Sequence, residues 1–233
     1  MSPVVDSLGD APQPTPLPVL GKVDALFEYV RDDRGRPTGA TRDQLAFTPV
    51  NPLVTAKLDG TCCYIRDGTV FARQDVKHDV ANAPAGWFQT AEKDAGGHII
   101  GFRPLNHHDK WHHQAIDGDN ARFLAYDAVR RQFYYVVRPI ADLDGHTVEL
   151  IGPSVNGNKH KLTQNAFIPH GSVVVDAPWS CHADLRAWLA GDGRFYEGIV
   201  VHDVGNNTLR KCHRGHLGGA CGWKSPVPLP MRD

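Results

Sequence analysis

Short alternations of apolar and polar residues, punctuated by Gly, Pro and Asp, run through most of the chain and predict strands rather than long helices. Cys62-Cys63-Tyr64-Ile65 and Thr69-Val70-Phe71-Ala72-Arg73 flank Arg66-Asp67-Gly68, the pattern of a β-hairpin about an Asp-Gly turn. Phe123 to Val129 and Phe133 to Val137 form a second such pair across the charged Arg130-Arg131. Thr147 to Ile151 predicts a strand closed by Gly152-Pro153, and Ser172 to Val175 another. Glu197 to His202 and Thr208 to Cys212 form the last hairpin, about Gly205-Asn206-Asn207. Helical spacing appears in Cys181 to Ala190, where Leu185, Trp188 and Leu189 share a face. Ser180 is the expected cap there and Gly191 the expected stop. Leu26 to Val30 fits strand or helix equally. Residues 77–120, rich in Gly, His, Asp and Trp, read as an irregular insertion with short helical pieces. The fold class is therefore α+β, mostly antiparallel sheets with a few flanking helices.

Residues 1–20, rich in Pro, Ser and Asp, read as a disordered leader, 21–225 as one domain, and 226–233 as a short tail. With 41% hydrophobic and 22% charged residues, nothing suggests wider disorder. A net charge of -1 excludes a whole-molecule pull toward nucleic acid, so any such footprint is a local patch. The chain has neither a membrane-spanning apolar run nor a signal-peptide pattern. Five cysteines, two of them adjacent in a strand, argue against a disulfide framework and for a reducing, cytoplasmic setting. Thirteen histidines include pairs at His107-His108 and His112-His113 and a Cys212-His213-His216-Cys221 cluster. Zinc is the sharp reading of that cluster, although its spacing matches no standard finger.

Candidate chemistry centres on Val54-Thr55-Ala56-Lys57-Leu58-Asp59-Gly60-Thr61-Cys62-Cys63. Asp59-Gly60 reads as a tight turn, for which glycine supplies the backbone angles. Such a turn fixes Lys57 at the mouth of a sheet. With a pKa of about 10.4, roughly one lysine in a thousand is neutral near pH 7.4, a shortfall of about 4 kcal/mol. Neighbouring cations or burial must supply that if Lys57 is a nucleophile. Taken singly, Arg73 and Lys211 read as solvated strand-edge charges, Glu149 as an exposed alternate position and Glu197 as a strand cap.

In order, Lys57 in K-x-D-G, Arg73, Glu149, Glu197-Gly198 before an apolar strand, and Lys211 resemble motifs I, Ia, III, IV and V of the covalent nucleotidyltransferases. A closer resemblance is to the eukaryotic-type RNA ligase 1 family. It rests on Lys57-Leu58-Asp59-Gly60-Thr61-Cys62-Cys63-Tyr64, on the run from Glu149 to Asn158, and on Ile168-Pro169-His170-Gly171. Glu197-Gly198-Ile199-Val200 and the run from Lys211 to Gly218 complete it, so that it spans about Val54 to Trp223. The resemblance implies a nucleotidyltransferase (ATP-grasp-like) domain and an ATP-dependent ligase joining RNA 5′-phosphate and 3′-hydroxyl ends. It implies that Lys57 attacks the α-phosphate of ATP to form lysyl-AMP, which passes AMP to the RNA 5′ end. Lys211 then holds the phosphate, and Glu197 takes Mg²⁺, with Mn²⁺ as a substitute. Thr55, Asp59, Gly60, Arg73 and Glu149 line the nucleotide, with an aromatic from the Phe123 to Tyr126 strand against adenine. Arg210, Arg214 and Lys224 form an RNA-binding patch.

The chain departs from the wider pattern in two places. Where many ligases have K-x-K, His213 follows Lys211-Cys212, leaving the second cation to Arg214, Lys224 or a protonated histidine. Pro226, Pro228 and Pro230 make the tail a poor sheet, so no C-terminal OB barrel is expected. A monomer is expected. A DNA or mixed-strand ligase and a non-catalytic zinc or nucleic-acid-binding module stay open as alternatives.

Overall fold

The computed structural model describes residues 19–94, 96–218 and 227–232. Its first strands are β1 (Asp24–Ala25), β2 (Phe27–Arg31), β3 (Pro37–Leu45), β4 (Pro52–Lys57), β5 (Thr61–Arg66) and β6 (Thr69–Arg73). Then come β7 (Val76–Lys77), β8 (Phe88–Gln89), β9 (His98–Ile99), β10 (Gly101–Pro104), β11 (Ile116–Asp117), β12 (Asn120–Asp127) and β13 (Gln132–Pro139). The last are β14 (Thr147–Ile151), β15 (Ala166–Pro169), β16 (Gly198–Asp203) and β17 (Thr208–His213). The helices are α1 (Lys110–His113) and α2 (His182–Ala190).

Among the described residues, two sheets organise the fold. A small sheet runs β1-β17-β16-β4, and a nine-stranded sheet runs β11-β12-β15-β14-β5-β6-β10-β8 with β13 on β12. Pairing is antiparallel except for β1 with β17 and β12 with β15. The α+β expectation agrees with this, and no closed barrel is present among the described residues.

Alternation gives each sheet an apolar face, and over β12, β14 and β15 the large sheet is apolar on its other face as well, where Leu124, Ile151, Ala166 and Ile168 pack with Val173 and Tyr196. In the small sheet Val54, Ile199, Val201 and Cys212 are buried with Leu26, Phe27 and α2 residues Leu185 and Leu189. In the large sheet Cys63, Ile65, Val70, Val148, Leu150 and Phe167 form a second core. The intervening positions, Thr55 and Lys57 on one side and Cys62, Arg73 and Glu149 on the other, are left to line the space between the sheets.

Several expectations need correction. Leu58-Asp59-Gly60 is not a hairpin turn but the crossover from the small sheet to the large one. Gly60 is required for space rather than for backbone angle. A Cβ there would lie 2.3 Å from the Leu150 carbonyl oxygen. By contrast, Asp67 (φ 52°) and Gly68 (φ 65°) do form the left-handed pair of a tight hairpin turn.

Ser172 to Val175 is not a strand. It contributes an isolated bridge, Val174 to Thr55, and is anchored by a Val175 N–H to Val54 carbonyl bond of 3.0 Å. Residues 77–120 are irregular over most of their length and carry short helical pieces, a 3-10 turn at Val80–Asn82 and α1, as expected; what the expectation lacked is the short strands, of which β10 joins the large sheet beside β6. Helix α2 begins at His182 and stops at Gly191. Its cap is not Ser180: the His182 N–H donates to Asp43 Oδ1 at 2.8 Å, from β3. The tail is a strap. The Val227 and Leu229 N–H groups donate to Lys159 and His160, and Phe133 donates to the Pro230 carbonyl. Prolines at the alternate positions have no N–H to satisfy, so the strap tolerates them. At the other end Val19 and Leu20 are held, by Thr147 Oγ1 at 2.8 Å and Thr90 Oγ1 at 2.7 Å.

Candidate active site

Register builds the site. Across the small sheet, Thr55 pairs with Val200 and Val200 with Lys211, while Lys57 pairs with Gly198. Thr55, Lys57 and Lys211 therefore share one face. On the large sheet Glu149 pairs with Cys62. The two faces enclose a cavity of about 200 Å³ lined by Thr55, Lys57, Lys211, Cys62, Arg73 and Glu149, and by Lys22 and His170. Lys57, Arg73, Glu149 and Lys211, far apart in sequence, thus meet in one place.

The Glu197 N–H donates to the Lys57 carbonyl at 2.9 Å, which sets Glu197 against Lys57, and the Lys57 ammonium donates to the Glu197 carboxylate. Gly198 is needed at this point because a Cβ there would lie 2.1 Å from the Cys212 carbonyl oxygen. Burial acts to lower the Lys57 pKa, but Glu197, Glu149 and Asp59 outweigh it and the net shift is upward. Lys57 at rest is an ammonium. Lys211 has the opposite balance: burial, then Lys57, lowers its pKa. Burial raises the Glu197 pKa despite Lys57 beside it.

The crossover is held from outside. Asn156 Nδ2 donates to Asp59 Oδ1 at 2.8 Å and to the Gly60 carbonyl at 2.7 Å, and the Asp59 N–H donates to His160 Nε2 at 2.9 Å. Asp59 and Gly60 shape the strand that carries Lys57 rather than lining the cavity. The Thr55 hydroxyl pairs with His202 Nε2 at 2.9 Å. Arg73 is tied to Asp75 at 2.9 Å. His170 Nε2 pairs with Glu149 Oε2 at 2.7 Å.

The RNA-binding patch needs revision. Arg214 is 8% exposed, and its guanidinium donates to the carbonyls of Tyr196 (2.9 Å), Leu189 (2.6 Å) and Arg194 (3.1 Å). It is a buried structural clamp rather than part of an exposed basic patch. Arg210 sits near Asp24 at 3.6 Å and over the Phe47 ring. Lys224, Trp223 and Cys221 lie outside the described residues. Burial drops the His213 and His216 pKa values to about 4, so neither is a cation at neutral pH. Their rings pack 3.7 Å apart, and Cys212 beside them is in the core.

Phe123 is buried in the large-sheet core and Tyr126 packs on Phe133, so neither reaches the Lys57 cavity. Of the paired histidines, His112 is buried and His113 pairs with the Asn106 carbonyl. Sequence reasoning missed Lys22, which lines the cavity and pairs with Asp94 at 2.7 Å. A lone lysine after a Pro-rich stretch carries no signal. Among the described residues, the metal-ligand cluster is Cys62, Glu149 and His170 rather than the Cys212 group.

Two facing sheets that bring cations and carboxylates to one cleft define a class: β-rich α+β proteins with a charged cleft built around lysines. The comparisons narrow it. A sequence model of the RNA ligase 1 family matches residues 83–227, which include Glu149, Glu197 and Lys211. A Pongo abelii protein described as RNA ligase 1 is 29% identical, over 75% of this chain and 68% of its own length. A Danio rerio RNA ligase 1 is 28% identical, over 86% of this chain and 81% of its own. A continuous match of that extent takes in the Lys57 strand, which the family model does not reach. The chain belongs to the RNA ligase 1 family and by that membership is an RNA ligase.

Proposed function

We infer that this chain is an ATP-dependent ligase joining RNA 5′-phosphate to 3′-hydroxyl ends through a lysyl-AMP formed on Lys57. The observation that carries this reading is the convergence of Lys57, Arg73, Glu149 and Lys211 on one cavity, with Glu197 paired to Lys57. Phosphoryl transfer asks a protein mainly for position and charge neutralisation. Lys211 and Arg73 supply positive charge around the phosphate. Lys57 must lose its proton before it attacks, and the Glu197 pairing opposes that loss. Release of Glu197 from Lys57, with Lys211 close by, lowers the Lys57 pKa and frees the lone pair. The amine then bonds to the α-phosphorus and pyrophosphate leaves. An RNA 5′-phosphate next displaces Lys57 from the AMP, and a 3′-hydroxyl displaces AMP from the RNA. Glu197, beside Lys57, offers the hard oxygen donors that Mg²⁺ or Mn²⁺ prefers. Such an ion supplies charge neutralisation at the triphosphate.

The test compares joining of a 5′-phosphorylated strand to 3′ ends that are all RNA, all DNA, or DNA with one terminal ribonucleotide. An RNA preference is expected, because a 2′-hydroxyl offers both a donor and an acceptor at the reacting sugar. Equal rates on all three ends would favour the DNA or mixed-strand alternative.

A further inference from the structure

Cys62, Glu149 and His170 sit on the large-sheet wall of the Lys57 cavity, and no step described above uses the thiol or the imidazole. Their ligand atoms, one from each residue, all lie within 4.8 Å of one another. Register fixes two of them, since Cys62 and Glu149 are directly paired across β5 and β14. The third is fixed by the His170 N–H, which donates to the Thr147 carbonyl at 3.0 Å just past β15. His170 Nδ1 is buried with no hydrogen-bond partner among the described residues.

We propose that Cys62, Glu149 and His170 form a binding site for a zinc-class divalent ion, and that its occupation excludes nucleotide from the Lys57 cavity.

Donor chemistry selects the ion. One sulfur, one imidazole nitrogen and one carboxylate oxygen suit Zn²⁺, whereas Mg²⁺ wants oxygen alone. Bonds of about 2.0–2.3 Å place tetrahedral ligand atoms roughly 3.3–3.8 Å apart, so side-chain rotation alone can close this trio on an ion. Three protein ligands leave a fourth position, and it opens into the cavity. Charge also balances. The thiolate and Glu149 neutralise the ion, so Arg73, Lys57 and Lys211 are not opposed by a further cation. In the free protein, burial and then Glu149 push the Cys62 thiol up to about 12. A coordinated thiol is nonetheless deprotonated outright, and its proton passes to solvent. No oxidation or reduction is involved. Glu149 links the two halves of the proposal: a carboxylate bound to zinc, and parted from His170, is unavailable to a nucleotide. This second half rests on the nucleotide reading of the cavity, while the first does not.

Co²⁺ replaces Zn²⁺ and reports thiolate coordination by a charge-transfer band in the near ultraviolet. The full chain titrated with Co²⁺ alone should show the band, and Zn²⁺ should erase it. Cys62→Ser and His170→Ala should remove or strongly weaken it, and Cys181→Ser should leave it. No band overturns the site, and a band that survives Cys62→Ser assigns the metal to other cysteines. Should either variant fail to fold, the rise in melting temperature that Zn²⁺ causes in the unaltered chain decides the point. No rise counts against the site. Zinc should then halve self-labelling by α-labelled ATP at a concentration that rises about tenfold or more in Cys62→Ser, relative to that variant's own zinc-free rate. A cobalt band with zinc-insensitive labelling would leave the site standing and overturn the exclusion. A band with no labelling even without zinc would overturn the exclusion by removing the nucleotide reading, and the metal site alone would stand.

Discussion

At the scale of single residues the proposed chemistry turns on one ion pair. Lys57 and Glu197 are both largely withdrawn from water, with side chains 24% and 22% exposed. The carboxylate holds the amine in its charged, unreactive form. Self-labelling should therefore quicken with pH, by about tenfold per unit through neutrality, as expected for a group with a pKa far above the range. A flat profile between about pH 6.5 and 8.5 would mean that another group limits the reaction. The acids and bases of this site were legible because each stands in a short string of its own: K-x-D-G, the run from Glu149, E-G before an apolar strand, and the late lysine. Arg214 was misread because nothing adjacent announces its partners. The carbonyls it clamps, at Leu189 and Tyr196, lie 25 and 18 residues away. The histidines that brace the site, His160, His170 and His202, follow no periodicity, and only long-range contact gives them a role.

At the scale of elements the critical feature is the crossover 58–60 that joins the sheets. Gly60→Ala drives a methyl into the Leu150 carbonyl and must part β5 from β14. Its expected outcome is a fall in both melting temperature and self-labelling. Normal labelling from a normally stable variant would show that the crossover has room. Strands were the most legible elements, because alternation marks both the buried face and the cavity face. Helix α2 was legible too, but its cap was not, since Asp43 reaches it from 139 residues away. Asp43→Ala should cost about 0.5–2 kcal/mol in chemical denaturation, as lost helix caps do. Labelling by the folded fraction should not change. A proportional loss of activity would tie β3 to the site. The 77–120 region defeated periodicity because its strands, such as β7 and β8, are two residues long.

At the scale of the whole molecule, burial of histidines makes the fold acid-sensitive. Burial lowers the pKa of His160 and His202 to about 4, from an ordinary value near 6.5. Between those values the unfolded chain binds more protons than the folded one, so stability falls as pH falls through this window. Each histidine accounts for about 1–2 kcal/mol at pH 5. Thermal melts should show a clear drop from pH 7 to pH 5, reduced in His202→Gln. A melting temperature flat across that range would contradict the burial. No helix among the described residues is long and apolar enough to cross a membrane. What unites the molecule is that both sheets are incomplete without each other: Lys57 and Lys211 come from one, Arg73 and Glu149 from the other. The most direct measurement is to incubate the protein with α-labelled ATP and Mg²⁺, digest it, and locate the label. Label on the peptide carrying Lys57, absent from a folded Lys57→Ala variant, is the predicted result. Label that persists in Lys57→Ala, or that maps to Lys22 or Lys211, would contradict the account.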